Sequence, residues 1–157
     1  RDYMGYAQLD GEQEKYIGTI AHLDVVPAGN GWHTDPYNMT VKNGYLMGRG
    51  VIDNKGPFIL TLYMAKFFKE LGEKLPYTLR MMCGCDEECG MSDVEYYVHH
   101  YEEPVFLFTP DSEFPLCNGE KGQLGGNITS KKFENGAIWT LRAVWLRMRF
   151  LTRLMPL

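Results

Sequence analysis

The chain has 157 residues, a formal net charge of −4, and 45% hydrophobic and 23% charged residues, ordinary values for a globular domain long enough to bury a sizeable core. No apolar run approaches the ~20 residues of a membrane span, and no basic-then-apolar leader opens the sequence. The acidic balance argues against nucleic acid as the main partner, because phosphate contacts need clustered cations.

In chain order, residues 16–26 (Tyr-Ile-Gly-Thr-Ile-Ala-His-Leu-Asp-Val-Val) read as a buried strand ended by Pro27. Strand side chains alternate, so His22 and Asp24 are expected on one face. Residues 27–38 form a loop with Gly29, Gly31, Trp32 and Pro36. Residues 39–42 and 45–47 flank Asn43-Gly44, a strong signal for a two-residue hairpin. Asp53 follows in a glycine-rich turn, Gly48-Arg-Gly-Val-Ile-Asp-Asn-Lys-Gly-Pro57. Residues 57–71 read as a helix. Pro57 suits its first turn, Ile59, Leu62, Tyr63, Ala65 and Phe67 give the apolar spacing, and Gly72 stops it. Residues 77–83 are a strand that leads to Glu87-Glu88. Ser92-x-x-Glu95 is a capping-box pattern opening a second helix through about His100. Residues 105–109 are a strand leading to Pro110 and Asp111.

The order strand, hairpin, helix, strand, helix, strand predicts an α/β layer fold. Its candidate ligands lie at strand ends, where such sheets bind their ligands. Taken singly, each has a plain structural reading: a satisfied histidine, a solvated glutamate pair, turn-forming aspartates. Their common placement points to one metal-binding face. Cys83, Cys85, Cys89 and Cys117 lack the paired spacing of structural zinc and read as reduced, cytoplasmic thiols. Gly119-Glu-Lys-Gly-Gln-Leu-Gly-Gly126 lacks the lysine followed by Ser/Thr of a phosphate loop and reads as a turn beside the site.

Four ordered motifs carry a family resemblance: His22-Leu-Asp-Val-Val-Pro27, Gly48-Arg-Gly-x-x-Asp-Asn-Lys-Gly-Pro57, Asp86-Glu-Glu-Cys-Gly90, and Thr109-Pro-Asp-Ser-Glu-Phe-Pro115 with Asn118-Gly-Glu-Lys-Gly122. Over residues 1–138 the chain resembles the di-zinc aminoacylase, carboxypeptidase and dipeptidase family. Its likeness is strongest to the bacterial dipeptidase V branch, which comprises Xaa-His, carnosinase-like dipeptidases. The resemblance implies a layered zinc-peptidase catalytic domain of the phosphorylase/hydrolase-like class, with a mixed sheet and helices on both faces, here incomplete. It implies that Asp53 bridges two zinc ions, that His22 and Asp111 complete one ion's protein ligands, and that Glu88 binds the other. Glu87 would be the general base acting on a water that bridges the metals. Asp24 would assist catalysis by fixing the His22 ring. His33, His99 and His100 match no ligand position.

The implied activity is zinc-dependent hydrolysis of dipeptides or short peptides, with no nucleic-acid or membrane partner. An N-acyl amino acid deacylase or desuccinylase of the same family is an alternative, as is a non-catalytic metal-binding remnant. The family's second metal takes a last histidine from beyond an inserted lid and dimerisation domain. No His follows His100, and the sequence begins Arg1-Asp-Tyr without a Met. The chain therefore reads as an inactive fragment truncated at both ends, without its lid.

Residues 139–157 differ in composition from everything before them. They hold four of the seven Arg, two of the three Trp and no acid, a local charge of +4 against −8 for residues 1–138. One reading is a basic amphipathic helix for a membrane or partner. The sharper expectation is a frameshift near Ile138. A back-translation of this tail, read one base earlier, spells VDFEGGVATNAIPDPAYAA, which resembles the family's continuation after residues 132–137. Reading the coding DNA across codons 136–160 checks this. Codons that spell the family-like string in the neighbouring frame are expected, and codons unable to do so sink the idea.

Overall fold

The computed structural model describes residues 4–113, 115–117, 119, 121–124, 128–129, 142–143 and 148–151. The chain forms two compact units, residues 1–111 and 112–157. In the first, β1 (Gly5–Leu9), β2 (Gln13–His22), β5 (Tyr77–Gly84) and β6 (Phe106–Phe108) form a sheet in the order β1-β5-β2-β6. The three central and right-hand strands β5, β2 and β6 are parallel, and β1 joins β5 antiparallel. A short hairpin, β3 (Thr40–Lys42) and β4 (Tyr45–Met47), stands apart from this sheet. Two helices, α1 (Gly56–Leu71) and α2 (Ser92–His100), complete the unit. In the second unit β7 (Lys121–Leu124) pairs with β10 (Met148–Leu151), and β8 (Ile128–Thr129) with β9 (Arg142–Ala143), both antiparallel. Most of the tail 139–157, and part of the glycine-rich stretch 119–126, lie outside the described residues.

Strand alternation sends the apolar residues of the first sheet to two faces. Leu79 and Met81 of β5 and Ile17 of β2 pack against Ala65, Leu62 and Phe68 of α1. Met82 of β5 and Tyr16 of β2 pack against Tyr97 of α2. This is the expected mixed sheet with a helix on each face. On the α2 side the Arg80 guanidinium lies 4.0 Å from the Tyr16 ring centre and donates to the Tyr97 hydroxyl at 2.7 Å.

The local signals explain most boundaries. Asn43 and Gly44 both have positive φ (52° and 79°), as the two-residue hairpin requires. α1 carries Pro57 in its first turn and ends at Gly72 in the left-handed conformation, whose N–H donates to the Lys69 carbonyl.

Three expectations are corrected. β2 starts three residues earlier than read and ends at His22. The Leu23 N–H makes one more bond, to the Gly84 carbonyl at 2.9 Å, and the chain then leaves the sheet, so Asp24 is not a strand residue. On α1, Ile59, Tyr63 and Phe67 face outward, 47%, 64% and 58% exposed. The helix carries two apolar stripes, and the sheet takes the one centred on small Ala65. The cap of α2 is not Ser92 with Glu95. Met91 precedes the helix in the left-handed conformation, and the Asp86 carboxylate accepts from both the backbone N–H and the hydroxyl of Ser92.

Candidate metal centre

The parallel register sets the ends of β2, β5 and β6 side by side. His22, the last residue of β2, pairs with Gly84, the last of β5. Thr19 pairs with Phe108, the last of β6. Chain leaving those ends, together with the turn before α1, supplies every candidate ligand.

His22 is buried, 3% exposed. Its Nδ1 lies 2.9 Å from the Asp24 carbonyl oxygen and 3.3 Å from the Asp24 carboxylate. With Nδ1 as the donor, Nε2 is free to accept or ligate. Around Nε2 stand Asp53 Oδ1 at 3.0 Å, Asp111 Oδ2 at 3.6 Å and Glu87 Oε2 at 3.8 Å. Donor atoms of His22, Asp53 and Glu88 also lie within 4.8 Å of one another. All six residues singled out in the sequence therefore meet at one place.

Each is delivered by a distinct local device. Asp53 sits in a wide turn, residues 51–55, whose backbone is not helical at Asp53 (φ −126°, ψ 94°) or Asn54 (φ −130°, ψ 18°). Gly50 opens that turn with φ +83°, and a Cβ there would meet Val25 Cγ1 at 2.6 Å, so only glycine fits. Its carbonyl accepts from Lys55 N–H at 3.0 Å. Glu87 and Glu88 lie in a tight turn after β5, where the Asp86 carbonyl accepts from the N–H groups of Cys89, Gly90 and Met91. The irregular backbone frees this adjacent pair from the alternation of a strand. Buried Asp93 fixes the end of β5 by accepting from Cys85 N–H at 2.6 Å. Gly84 makes room for that carboxylate, since a Cβ there would meet Asp93 Oδ2 at 2.5 Å.

Asp24 has a larger part than its expected one. Its carboxylate accepts from the backbone N–H of Glu87 at 3.3 Å and of Glu88 at 3.0 Å. The principal hold on the imidazole comes from its carbonyl. One residue thus ties the end of β2 to the loop after β5.

The electrostatics are those of a cation site. Burial raises Glu87 above its usual range, and Asp111, Glu88 and Asp24 add to the rise while His22 opposes it. Burial likewise raises Asp111, with Asp53 adding and His22 opposing. For His22, burial lowers the pKa, but the Asp24 carbonyl and then Asp111, Glu87 and Asp24 outweigh it and the net shift is upward. Negative charge converges on one imidazole, and a divalent cation is the natural complement. The donor set, imidazole nitrogen and carboxylate oxygen, suits zinc. The Cys83 thiol belongs to another environment: burial pushes its pKa up to about 11, which keeps it protonated and a poor ligand.

Sequence reasoning passed over Asn54. It is fully buried, and neither its amide nitrogen nor its amide oxygen has a hydrogen-bond partner among the described residues. Its only sequence signal is its place beside Asp53. His100 bonds its own helix, Nδ1 to the Tyr96 carbonyl at 2.8 Å, and takes no part in the centre.

Fold and donor set define a class: α/β proteins with a candidate divalent-cation centre at the carboxyl ends of the parallel strands of a mixed sheet. Within it, the chain belongs to the Peptidase family M20/M25/M40, whose family model matches residues 18–142. It is 41% identical over 118 residues to YtjP of Bacillus subtilis (strain 168), an alignment covering 75% of this chain and 26% of that protein. It is 40% identical over 122 residues to the Beta-Ala-Xaa dipeptidase of Lactobacillus delbrueckii subsp. lactis, covering 77% of this chain and 26% of the relative. Among solved structures, human carnosine dipeptidase 1 matches with a TM-score of 0.61 and 27% identity, over 80% of this chain and 28% of that one. The chain spans about a quarter of the length of the curated relatives it matches.

Because Glu87, Asp111 and His22 all stand above their ordinary values of 4.5, 3.8 and 6.5, these three groups bind more protons in the metal-free fold than in the unfolded chain. Their contribution to stability therefore falls with rising pH. The His22 contribution is full below 6.5 and is lost as pH climbs through the raised folded value. Melting temperatures in EDTA should fall as pH rises above 6.5, and the rise produced by zinc should grow as they fall. In His22→Gln the EDTA slope should flatten, and an equal slope in both proteins would remove His22 from the effect.

Proposed function

We propose that the protein to which this segment belongs is a zinc-dependent dipeptidase acting on dipeptides with a free amino end. The observation that carries the reading is the single nitrogen His22 Nε2 with three carboxylates, Asp53, Asp111 and Glu87, within 4 Å. In this reading His22, Asp53 and Asp111 would hold one zinc ion, and Asp53 and Glu88 would hold a second. Bound zinc supplies Lewis acidity, lowering the pKa of water and polarising the scissile carbonyl. The family membership and the dipeptidase names among the relatives support the substrate class.

Glu87 is the general base. Its upward shift, from burial and then from neighbouring carboxylates, moves it toward the range in which a carboxyl group both accepts and returns a proton. It takes a proton from water as the water oxygen bonds to the carbonyl carbon. It returns that proton to the amine nitrogen as the carbon–nitrogen bond breaks. Asp24 is a positioning residue: through its carbonyl it orients His22, and through its carboxylate it holds the backbone of Glu87 and Glu88.

The same reading takes residues 1–138 as catalytic-domain sequence and 139–157 as an out-of-frame tail. In support, the family match stops at residue 142, close to the break in composition. A cytoplasmic setting without nucleic-acid or membrane partners fits the acidic body. Among the described residues no helix is long and apolar enough to cross a membrane.

Two substitutions test the roles. Glu87→Gln should lower kcat on dipeptides by about 10²–10⁴-fold while zinc affinity stays near wild type. Turnover within tenfold of wild type would remove Glu87 from the chemistry. Asp24→Ala should weaken zinc binding by about 10–100-fold and lower kcat as well, because two N–H groups and the imidazole lose their anchor. Unchanged zinc affinity would leave Asp24 without the positioning role.

A further inference from the structure

In the motif Gly48-Arg-Gly50 that leads into the Asp53 turn, the dipeptidase reading leaves Arg49 without a role. Asp53 must meet His22, and its Oδ1 stands 3.0 Å from Nε2. Yet the chain that delivers Asp53 comes from the β3–β4 hairpin, which does not pair with the sheet that ends in His22. The exit side of the turn runs straight into α1. On the entry side, among the described residues, the hydrogen bonds that tie residues 48–50 to chain beyond the hairpin and the turn are both made by Arg49.

Those bonds lead to the two ends of the loop after β2. The Arg49 backbone N–H donates to the Pro36 carbonyl at 2.7 Å, and Nη2 donates to the Ala28 carbonyl at 3.0 Å. The Ala28 carbonyl also accepts from Trp32 Nε1 at 2.8 Å, and the Ala28 N–H donates to the Tyr37 hydroxyl at 3.1 Å. The guanidinium carbon lies 5.5 Å from the Trp32 ring centre, within cation–π range. Ala28 is four residues after Asp24, whose carbonyl holds the His22 ring. The residue after Arg49, Gly50, lies so close to Val25 that a Cβ would meet Val25 Cγ1 at 2.6 Å. Arg49 therefore spans from the segment that anchors His22 to the turn that presents Asp53. It is kept there against a cost, since its Nε is buried without a partner among the described residues. A guanidinium offers several donors in fixed directions, which an ammonium does not.

We propose that Arg49 is a positioning residue. Through the Ala28 and Pro36 carbonyls it sets the Asp53 turn against the segment that follows His22, so that Asp53 and His22 face one cation. It does for Asp53 what Asp24 does for Glu87 and Glu88. The inference rests on the reading of this cluster as a zinc centre, and it adds a residue that acts on a ligand from outside the ligand set.

The test measures zinc affinity of the full chain by competition with chromophoric chelators, and the absorption of bound cobalt(II), which follows ligand geometry. Arg49→Leu removes the side-chain bond and leaves the backbone one. It should weaken zinc binding by about tenfold, the lower end of what orienting partners contribute, and should alter the cobalt absorption. In an Asp53→Asn background the same substitution should change zinc affinity by less than about twofold, because additivity fails for residues that act through one another. In an Asp111→Asn background the loss should persist. If Arg49→Leu does not fold, Arg49→Lys, which keeps the charge but not the fork, goes through the same backgrounds with a smaller loss expected. The cobalt absorption decides the case if Asp53→Asn holds zinc too weakly to measure. Equal losses in all three backgrounds, or zinc affinity and cobalt absorption both unchanged, would make Arg49 a purely structural residue and overturn the proposal. A wild-type chain that binds no zinc would overturn the reading of the centre itself, an outcome distinct from wild-type binding that Arg49→Leu leaves intact.

Discussion

Asp24 accepts two backbone N–H groups from the loop after β5 while its own carbonyl holds the imidazole at the end of β2. Remove that bridge and the parallel sheet would still set the strand ends side by side. The register of β2 with β5 brings His22 level with Gly84, but it says nothing about where residues 87 and 88 turn. The sheet supplies nearness to about a strand spacing, ~4.8 Å. The carboxylate of Asp24 then converts nearness into a fixed relation between an imidazole and two glutamates. Hydrogen bonds to a charged acceptor are stronger than neutral ones, which suits a joint between two irregular segments.

That joint carries an electrostatic cost. Five carboxylates, Asp24, Asp53, Glu87, Glu88 and Asp111, gather around one imidazole. Burial together with like charge lifts both Glu87 and Asp111. Left alone, such a cluster relaxes by taking up protons. Offered a divalent cation, it exchanges them for a charge that satisfies several oxygens at once. The same repulsion that weakens the metal-free fold favours the metal-bound one.

Much of this was legible in the sequence because the signals were local. Pro57 and Gly72 bracket α1, and Asn43-Gly44 turns the hairpin. The ends of β5 and β6 were found to within a residue or so, because apolar runs stop where glycine, proline and acids begin. Convergence of His22, Asp53, Glu87, Glu88 and Asp111 was anticipated from the motif order and the strand-end rule. What escaped was decided by partners distant in sequence. The true end of β2 depends on the last bond that Gly84 offers Leu23. The cap of α2 comes from Asp86, six residues before Ser92. The outward stripe of α1 is as apolar as the inward one, and only the sheet chooses between them. Asp24 was read as a partner of His22, whereas its strongest claims are on a loop more than sixty residues away. Asn54 gave no signal beyond its place beside Asp53, since a buried amide and a turn amide look alike in sequence.

The parallel register has a kinetic side. Parallel strands need crossovers, and the residues of this centre range from His22 to Asp111 along the chain. No two segments that meet there are joined by a short hairpin. Loop closure between such distant segments is slow relative to helix formation. The centre is therefore among the last features to be assembled as the chain folds. An imidazole and its carboxylates meet only once β2, β5 and β6 have all docked. A cation captured there reports β2, β5 and β6 docked together.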